Sequence, residues 1–344
     1  MTTETANIQS TEKSSRHRDE TSIQIWLRRF TALAPLWTLL ALGIFFSLAS
    51  PSFARPINLN NILAQISVLA IFGTGMTFVL LTAEIDLSIA GVAALSGMVA
   101  AHLFVNLEMQ EPYPFIAGLA TATVMGFVNG FVSAKFRIPT FMTTLAMSLI
   151  AAGLTTYISK ARTLTKIPEI SATLGSDRIG GPQGIQVIII VAAITLLIGH
   201  IILRYTRFGR YVYMTGANKE AARLVGVNTD RVIIVVMTIC GFTAGLAGMV
   251  SMGRLGSAQP QEVPSYLIDA IGAVVLGGTS LMGGRGSIPR TVIGLLLYGT
   301  LRNGLDNMHE IDVFLKDFIK GVVLLAALMI NVFLSGKESR DKTN

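Results

Sequence analysis

Two carboxylates, Glu84 and Asp86, directly follow a long apolar run and are the first acidic side chains to consider for chemistry. Acids deep in membrane spans can relay protons or couple ions to transport. A carboxylate at the bilayer centre costs about 2.5–3.5 kcal/mol on insertion scales, so we expect both at a membrane boundary or beside a wet cavity. We expect Thr82, Asp86 and Ser88 to mark a helix break, with Asp86 capping the next helix and Ser88 assisting. Capping at the surface, without solute contact, explains these residues as well.

The glycine-rich stretch 277–286 is the second candidate. Glycine-rich loops can cradle phosphates, but this one lacks the Lys-Ser/Thr pair that ends an ATP-binding loop, and no soluble strand precedes it. We therefore expect Gly277, Gly278 and Thr279 to form a sharp turn or helix break where the chain re-enters the membrane. No other stretch has the ATP-binding pattern, so an ATP-driven mechanism would need a separate polypeptide to use ATP and Mg.

Metal and nucleophile chemistry find little support in the sequence. Cys240 is the only cysteine and lies in an apolar run, where a small packing residue is expected. The four histidines, at positions 17, 102, 200 and 309, are scattered and do not form a His-x-x-x-His pair. We expect neither a metal nor a cofactor in this chain, and an intramembrane enzyme is disfavoured because a Gly-x-Ser-x-Gly elbow is also missing.

The composition favours a membrane protein. The chain has 344 residues, of which 51% are hydrophobic and 14% charged, against about 25% charged in soluble domains. The net charge is +7, but the Lys and Arg residues cluster at the ends of apolar runs. That placement indicates membrane topology rather than nucleic-acid binding.

Ten apolar runs are long enough to be candidate membrane helices, since about 20 apolar residues cross a bilayer. They lie at 31–50, 60–81, 88–107, 114–134, 139–158, 185–203, 232–252, 266–280, 288–305 and 313–334. The sequence therefore predicts an all-α integral membrane protein with about ten transmembrane helices.

The ends of the chain and the Lys/Arg distribution predict its orientation. Residues 1–30 and 335–344 are polar and are expected to be cytoplasmic tails, the first of them disordered, around one permease domain at 31–334. With both termini inside, most of the 27 Lys and Arg residues fall on the inner side.

A weak internal repeat aligns residues 75–82 with 272–279. Each segment is followed by a serine and a turn into the next apolar run. Five spans per half would place two halves in inverted orientation, a common transporter plan. The repeat is short, and chance similarity between glycine-rich apolar strings remains the alternative.

Small residues recur at helical spacing in two pairs, Gly126 with Gly130 and Gly241 with Gly245. Such pairs let helices approach closely where lipid supplies no hydrophobic drive. Packing within one subunit is the favoured interpretation, and a dimer interface is the alternative.

The loop at 204–231 is the most basic one between two apolar runs. Within it, Asn218 is a typical N-cap, Glu220 lies in the first turn, Arg223 is near the end and Gly226 is the stop, which predicts a short helix. A loop that only fixes orientation is the simpler interpretation. A docking helix for a cytoplasmic partner is the more specific one.

This loop resembles the coupling-helix loop of the sugar-type ABC importer permeases, the membrane subunits of ribose-, galactose- and xylose-class uptake systems. The resemblance covers roughly residues 60–335. It is carried by Gly209-Arg210-Tyr211, Thr215-Gly216-Ala217-Asn218, Ala221-Ala222-Arg223-Leu224-Val225-Gly226-Val227, Ser257-Ala258-Gln259-Pro260, residues 269–281, Gly283-Gly284-Arg285-Gly286, Gly75-Met76-Thr77 and Ile85-Asp86-Leu87-Ser88.

The resemblance implies a function and a set of partners. The chain would be the permease of an ATP-driven importer of a monosaccharide or related polyol in the bacterial inner membrane. It would work with an ABC ATPase subunit, an extracytoplasmic sugar-binding protein and a second permease, in a homodimer or with a sister subunit. Coupling to the ATPase would fall on Gly216, Ala217, Asn218, Glu220, Ala221, Ala222, Arg223 and Gly226.

The outer face and the solute are less defined. Gln259 and Asn303 are candidates for an outer gate or a contact with the binding protein, although solvated loop ends would explain them too. Polar residues are sparse in the spans, which permits neutral polyhydroxylated solutes but does not select one. The alternative function is a secondary transporter driven by an ion gradient, which would need coupling carboxylates deep in the spans.

Overall fold

The computed structural model describes residues 34–181, 184–260, 264–308, 312, 315–323, 325–326 and 329. The predicted tails at 1–30 and 335–344 lie outside the described residues, as do the start of the first predicted span and most of the second half of the tenth.

Twelve helices and one small hairpin are defined in the described part of the chain. The helices are α1 (Ala34–Ala49), α2 (Pro56–Leu81), α3 (Ile89–Asn106), α4 (Tyr113–Phe136), α5 (Thr140–Ser159), α6 (Glu169–Ser176), α7 (Val187–Tyr205), α8 (Arg207–Ala217), α9 (Lys219–Leu224), α10 (Thr229–Leu255), α11 (Pro264–Leu276) and α12 (Ile288–Asp306). The strands β1 (Arg178–Ile179) and β2 (Ile185–Gln186) pair antiparallel. Residues 315–323 are also helical.

Six of these helices are long and apolar enough to cross a membrane: α2, α3, α4, α5, α7 and α10. They coincide with the second to seventh predicted spans, so the prediction of an all-α membrane protein is confirmed. Helices α1 and α11 are apolar but shorter, and α12 coincides with the ninth predicted span. The count of ten and the inside positions of the termini stay predictions.

Helix α2 is the centre of the bundle. Nearly its whole second half is buried, and it packs against α7, α10, α11 and α12. Helices α5 and α7 lie at the periphery and expose apolar side chains such as Leu149 and Leu197. A helix that is apolar on all sides is expected either inside a bundle of helices or in contact with lipid. Helix α2 lies inside the bundle.

The predicted small-residue pairs pack within one subunit. A Cβ at Gly126 would lie 2.4 Å from the Met237 carbonyl, and one at Gly241 would lie 2.5 Å from the Ala122 carbonyl. Helices α4 and α10 therefore touch backbone to backbone along this line, as close-packed membrane helices do.

The repeat at 75–82 and 272–279 does not support inverted halves. Gly284, in the turn after the second segment, donates its N–H to the carbonyl of Leu81, in the first segment, at 2.9 Å. Both segments therefore end at the same end of the bundle, whereas equivalent positions in inverted halves would lie at opposite ends. The inverted arrangement of two five-helix halves stays a prediction, and this alignment does not support it.

Candidate functional site

The helical conformation is interrupted after α2, at residues 82–88, and a buried polar side chain stabilises this helix break. Asp86 is 1% exposed and accepts hydrogen bonds from Ser88 N at 2.8 Å and Ser88 Oγ at 2.6 Å. Asn129 of α4 donates to the same Ser88 hydroxyl at 2.9 Å. Ser88 is the N-cap residue of α3, but its side chain forms no capping bond. Asp86 thus forms an Asx-type turn leading into α3 instead of the predicted direct cap.

Glu84 connects this break to two other elements. One carboxylate oxygen accepts a hydrogen bond from Thr140 Oγ1, at the start of α5, at 2.7 Å. The other lies 3.4 Å from Nζ of Lys219, the first residue of α9. The side chain of Glu84 is 17% exposed, so this pair is partly shielded from water. A movement of α9 would therefore act on the helix break at residues 82–88 and on the start of α5.

The predicted short helix is present as α9, with the predicted caps. Asn218 Oδ1 accepts the N–H of Ala221 at 2.9 Å, and Gly226 adopts a φ of +86°, which favours glycine. Arg223 donates to Thr229 Oγ1 and to Asp230 Oδ1, both at 2.8 Å, which ties α9 to the start of α10. Ala222 is buried, so the helix is seated on the protein by one face.

Helix α8, which precedes α9, was not predicted from the sequence. Thr206 is its N-cap and accepts the N–H of Gly209 at 3.1 Å. Its Val212, Thr215 and Gly216 are buried, while Arg210 is exposed. Together α8 and α9 form a helical hairpin that covers one end of the bundle, which we call the basic end.

The glycine-rich turn at 277–287 also lies at the basic end. Gly278, Gly283 and Gly284 all have positive φ angles, between +69° and +95°, a conformation that other residues rarely adopt. Ser280 N donates to Arg285 O at 2.8 Å and closes the turn. Thr279 is 1% exposed, and its hydroxyl lacks a hydrogen-bond partner within the described residues. The predicted sharp turn is therefore present.

Gly216 is the point where α8, α2 and the turn meet. A Cβ at Gly216 would lie 1.8 Å from the carbonyl oxygen of Leu81 and 2.8 Å from Gly284 N. A Cβ at Gly284 would lie 2.9 Å from Ala217 Cα. The backbones of these three elements are therefore in direct contact, with no room for one methyl group. We call this contact of Gly216, Leu81 and Gly284 the glycine junction.

Tyr213 adds a hydrogen bond beside the glycine junction. Its hydroxyl donates to the Gly286 carbonyl at 2.9 Å. Burial raises the pKa of Tyr213 above its usual value, and the nearby Arg204 and Arg290 act in the opposite direction. The phenol therefore stays protonated at neutral pH and keeps its role as a donor.

The end of α9 and the residue after it expose large apolar side chains beside the charged Glu220 and Arg223. Leu224 is 88% exposed and Val225 is 67% exposed, and Ala221 is exposed as well. Met282, at the tip of the glycine-rich turn, is 84% exposed. Large apolar side chains in such positions mark surfaces for partners. Leu224 and Val225 were quoted for the resemblance but not assigned a role from the sequence. Their apolar character inside a basic loop was the available signal.

The opposite end of the bundle holds a network of asparagines. Asn58, at the start of α2, donates to Asn303 Oδ1 at 2.8 Å, and Asn307 donates to the same oxygen at 2.9 Å. Asn58 and Asn303 are both buried. Gln259 is exposed and donates to Ser257 Oγ at 3.2 Å, and no described contact joins it to Asn303. The two predicted outer residues therefore do not form one site within the described chain.

A charge pair between α11 and α12 was missed in the sequence analysis. Asp269 of α11 lies 3.6 Å from Nη1 of Arg302 on α12, and its side chain is 16% exposed. Tyr298, one helical turn from Arg302, is close enough to Asp269 to interact with it. The spacing of Tyr298 and Arg302, four residues apart on one helix, was the available signal. Because Asp269 is paired with a cation and a phenol, it is held in place by its neighbours.

Metal binding has no structural support in the described residues, where no three His, Cys, Asp or Glu side chains are grouped to hold an ion. His102 Nδ1 accepts a hydrogen bond from Asn106 Nδ2 at 2.8 Å, and Cys240 is buried.

Known proteins identify the family to which these features belong. Residues 58–328 match the family described as "Branched-chain amino acid transport system / permease component". The chain is 40% identical over 307 residues to the ribose import permease of Escherichia coli K12, covering 89% of this chain and 94% of the relative.

Two further relatives extend the comparison. The ribose import permease of Bacillus subtilis strain 168 is 37% identical over 303 residues, covering 87% of this chain and 92% of the relative. The fructose import permease of Rhizobium meliloti is 31% identical over 320 residues, covering 91% and 88%. The chain therefore belongs to the sugar-type ABC importer permeases, which are multi-pass inner-membrane transport subunits and not enzymes.

Proposed function

We propose that this chain imports a monosaccharide or related polyol of the ribose type, with ATP hydrolysed by a separate cytoplasmic ATPase. The similarity to ribose import permeases over about nine tenths of the chain carries the choice of solute class. The matched family is named for amino acid transport, so a branched-chain amino acid is the second candidate solute. The ion-gradient alternative is set aside because the relatives are ABC permeases.

The ATPase is proposed to dock on the exposed face of α9. Ala221, Leu224 and Val225 form an apolar knob that nothing in the described chain covers. Apolar anchors that enter a pocket on a partner carry most of the binding energy in protein interfaces. The charged residues of α9 itself, Lys219, Glu220 and Arg223, would form the polar rim of this interface.

The glycine junction is proposed to transmit the motion. The ATPase would move α9, and the hairpin would carry α8 with it because Asn218 belongs to both helices as their shared cap. Gly216 then pushes on the end of α2 and on the turn at 277–287 without a compressible side chain between them. The pair of Lys219 and Glu84 gives a second link to the helix break. The spans would rearrange and alternate access to the two sides.

The opposite end is proposed to face outward and to receive the solute from an extracytoplasmic binding protein. Asn58 and Asn303 lie at the ends of α2 and α12 that are remote from the glycine junction. Asn58 and Leu81 are separated by 23 residues of one helix, so the two ends are about 35 Å apart. Such a distance matches the thickness of a bilayer core.

The proposal is tested by solute uptake into proteoliposomes that contain this permease, its ATPase and its binding protein. We expect ribose or a related sugar to be transported only when ATP is present on the side of the membrane that carries α9 and the ATPase. Uptake of leucine in place of sugars would instead favour the second candidate solute, a branched-chain amino acid. Uptake that collapses with an ion gradient but ignores ATP would contradict the mechanism.

A further inference from the structure

A pocket of about 540 Å³ opens at the basic end, between the end of α7, α8 and the start of α12. Its lining residues are His200, Leu203, Arg204, Tyr213, Gly286, Ser287, Ile288 and Pro289. It lies apart from the exposed knob of α9, and two of its lining residues, Gly286 and Ser287, belong to the turn at 277–287. The volume is in the range of small-molecule sites and is too small for a partner's folded segment.

The charge around this pocket is positive. Arg204 lines it, and both Arg204 and Arg290 act electrostatically on Tyr213, another lining residue. Both arginines are exposed. Within the described chain, neither of them forms an ion pair or a side-chain hydrogen bond, in contrast to Arg223, which contacts two carboxylates. Arg204 lies in the pocket wall, and Arg290 directly follows the lining residue Pro289. Two guanidinium groups that are unpaired within the described chain, one in the pocket and one beside it, favour an anion with several oxygen atoms.

The wall of the pocket continues into an apolar surface. Leu197 and Ile201 of α7 are 57% and 45% exposed, and they lie seven and three residues before Arg204, on the same stripe of the helix. Tyr205 ends the helix, is 71% exposed and packs edge-on against His200. Exposed tyrosines at the end of a membrane helix are typical of the membrane–water interface. The pocket therefore lies at headgroup depth, beside a surface suited to acyl chains.

We propose that this pocket binds the headgroup of one anionic phospholipid from the leaflet at the basic end. The phosphate lies between Arg204 and Arg290, and the acyl chains lie along Leu197 and Ile201. A free phosphate ion shares the charge of the headgroup but gains nothing from the apolar stripe, which is why the lipid is favoured. A bound lipid would brace α7 against the start of α12, next to the hydrogen bond between Tyr213 and Gly286.

The test is native mass spectrometry of the full-length protein in nonionic detergent, titrated with dioleoyl phosphatidylglycerol or dioleoyl phosphatidylcholine. We expect one phosphatidylglycerol per chain to bind in preference to phosphatidylcholine. The double variant Arg204→Gln with Arg290→Gln should weaken phosphatidylglycerol about 25-fold, since each basic residue near a membrane surface contributes about 5-fold. Arg231→Gln is the matched control, because it removes an exposed arginine of the same basic end away from the pocket.

A second variant fills the pocket and keeps its charge. Ser287→Trp should lower binding of phosphatidylglycerol at least 10-fold, whereas Ser287→Ala should leave it unchanged; this pair decides the matter if the double arginine variant does not fold. Equal loss in Arg231→Gln would mean a diffuse charge effect and would overturn the proposal. So would equal binding of the two lipids, or displacement of phosphatidylglycerol by inorganic phosphate at the same concentration, which would indicate a free-anion site.

Discussion

Replacing Gly216 by alanine is the sharpest perturbation of the glycine junction, because it adds one methyl group where none fits. The new Cβ would lie 1.8 Å from Leu81 O and 2.8 Å from Gly284 N, so one of these groups must move. Moving it breaks the 2.9 Å hydrogen bond from Gly284 N to Leu81 O.

The expected cost follows from these two effects. Overpacking of a close contact costs about 1–3 kcal/mol, and leaving a buried backbone group without a partner costs about 1–3 kcal/mol. Together the two effects cost about 2–6 kcal/mol at the contact through which α8 is proposed to move α2. Each 1.4 kcal/mol is a factor of ten, so we expect ATP-dependent uptake to fall at least 10-fold.

The assay is ATP-driven solute uptake in proteoliposomes, together with co-purification of the ATPase. In Gly216→Ala the ATPase should still co-purify, because the exposed face of α9 is unchanged. A bulkier replacement at Gly216 should abolish transport with normal membrane insertion, and it should also displace α9 enough to lower ATPase co-purification. The matched control is Gly153→Ala in α5, where an added Cβ would meet no atom within 4 Å.

Two results would refute this reasoning. If Gly216→Ala transported as well as Gly153→Ala, the contact would not carry motion. If the ATPase were lost together with transport in Gly216→Ala, the junction would only hold the docking surface in place. The account of two separable parts, a docking face and a transmitting contact, would then be wrong.

Three further predictions concern other contacts. Replacing Leu224 by Asp should reduce ATPase co-purification at least 10-fold while leaving the thermal unfolding midpoint unchanged; retained ATPase would exclude this face as the docking surface. Lys219→Met should lower uptake only a few-fold, because a partly exposed pair is worth about 1 kcal/mol or less, and Lys219→Glu with Glu84→Lys should restore it. Asn303→Leu should lower thermal stability because one N–H of the Asn58 amide loses its acceptor, while the other still donates to the Phe53 carbonyl. Asn58→Leu with Asn303→Leu should cost less than the two single changes added together; additive costs would mean that the two amides are not coupled.

Much of the helical arrangement was predictable, because a bilayer demands long apolar runs and the chain supplies them. The second to seventh predicted spans coincide with α2, α3, α4, α5, α7 and α10. The short helix α9 was also predictable, because its caps are local: Asn218 reaches only three residues ahead, and Gly226 supplies the left-handed turn.

The features that the sequence analysis missed depend on contacts between distant residues. The resemblance placed Gly216 in the coupling segment, but the close approach of the Leu81 carbonyl, which forbids a side chain there, was not foreseen. Asp269 and Arg302 are 33 residues apart, and their pairing depends on the packing of α11 against α12. Helix α8 was missed because its arginines and tyrosines resemble a polar loop, whereas its buried face becomes evident only against the bundle.

Chemical crosslinking between α9 and the ATPase tests the central claim most directly. Leu224→Cys places an accessible thiol on the exposed face of α9, and the single native cysteine, Cys240, is buried. In the assembled complex with its ATPase, a short thiol-to-amine crosslinker should join the permease to the ATPase through Leu224→Cys. The matched variant Leu149→Cys, on the exposed apolar side of α5, should not crosslink. A crosslink from Leu149→Cys, or none from Leu224→Cys in an intact complex, would contradict the account.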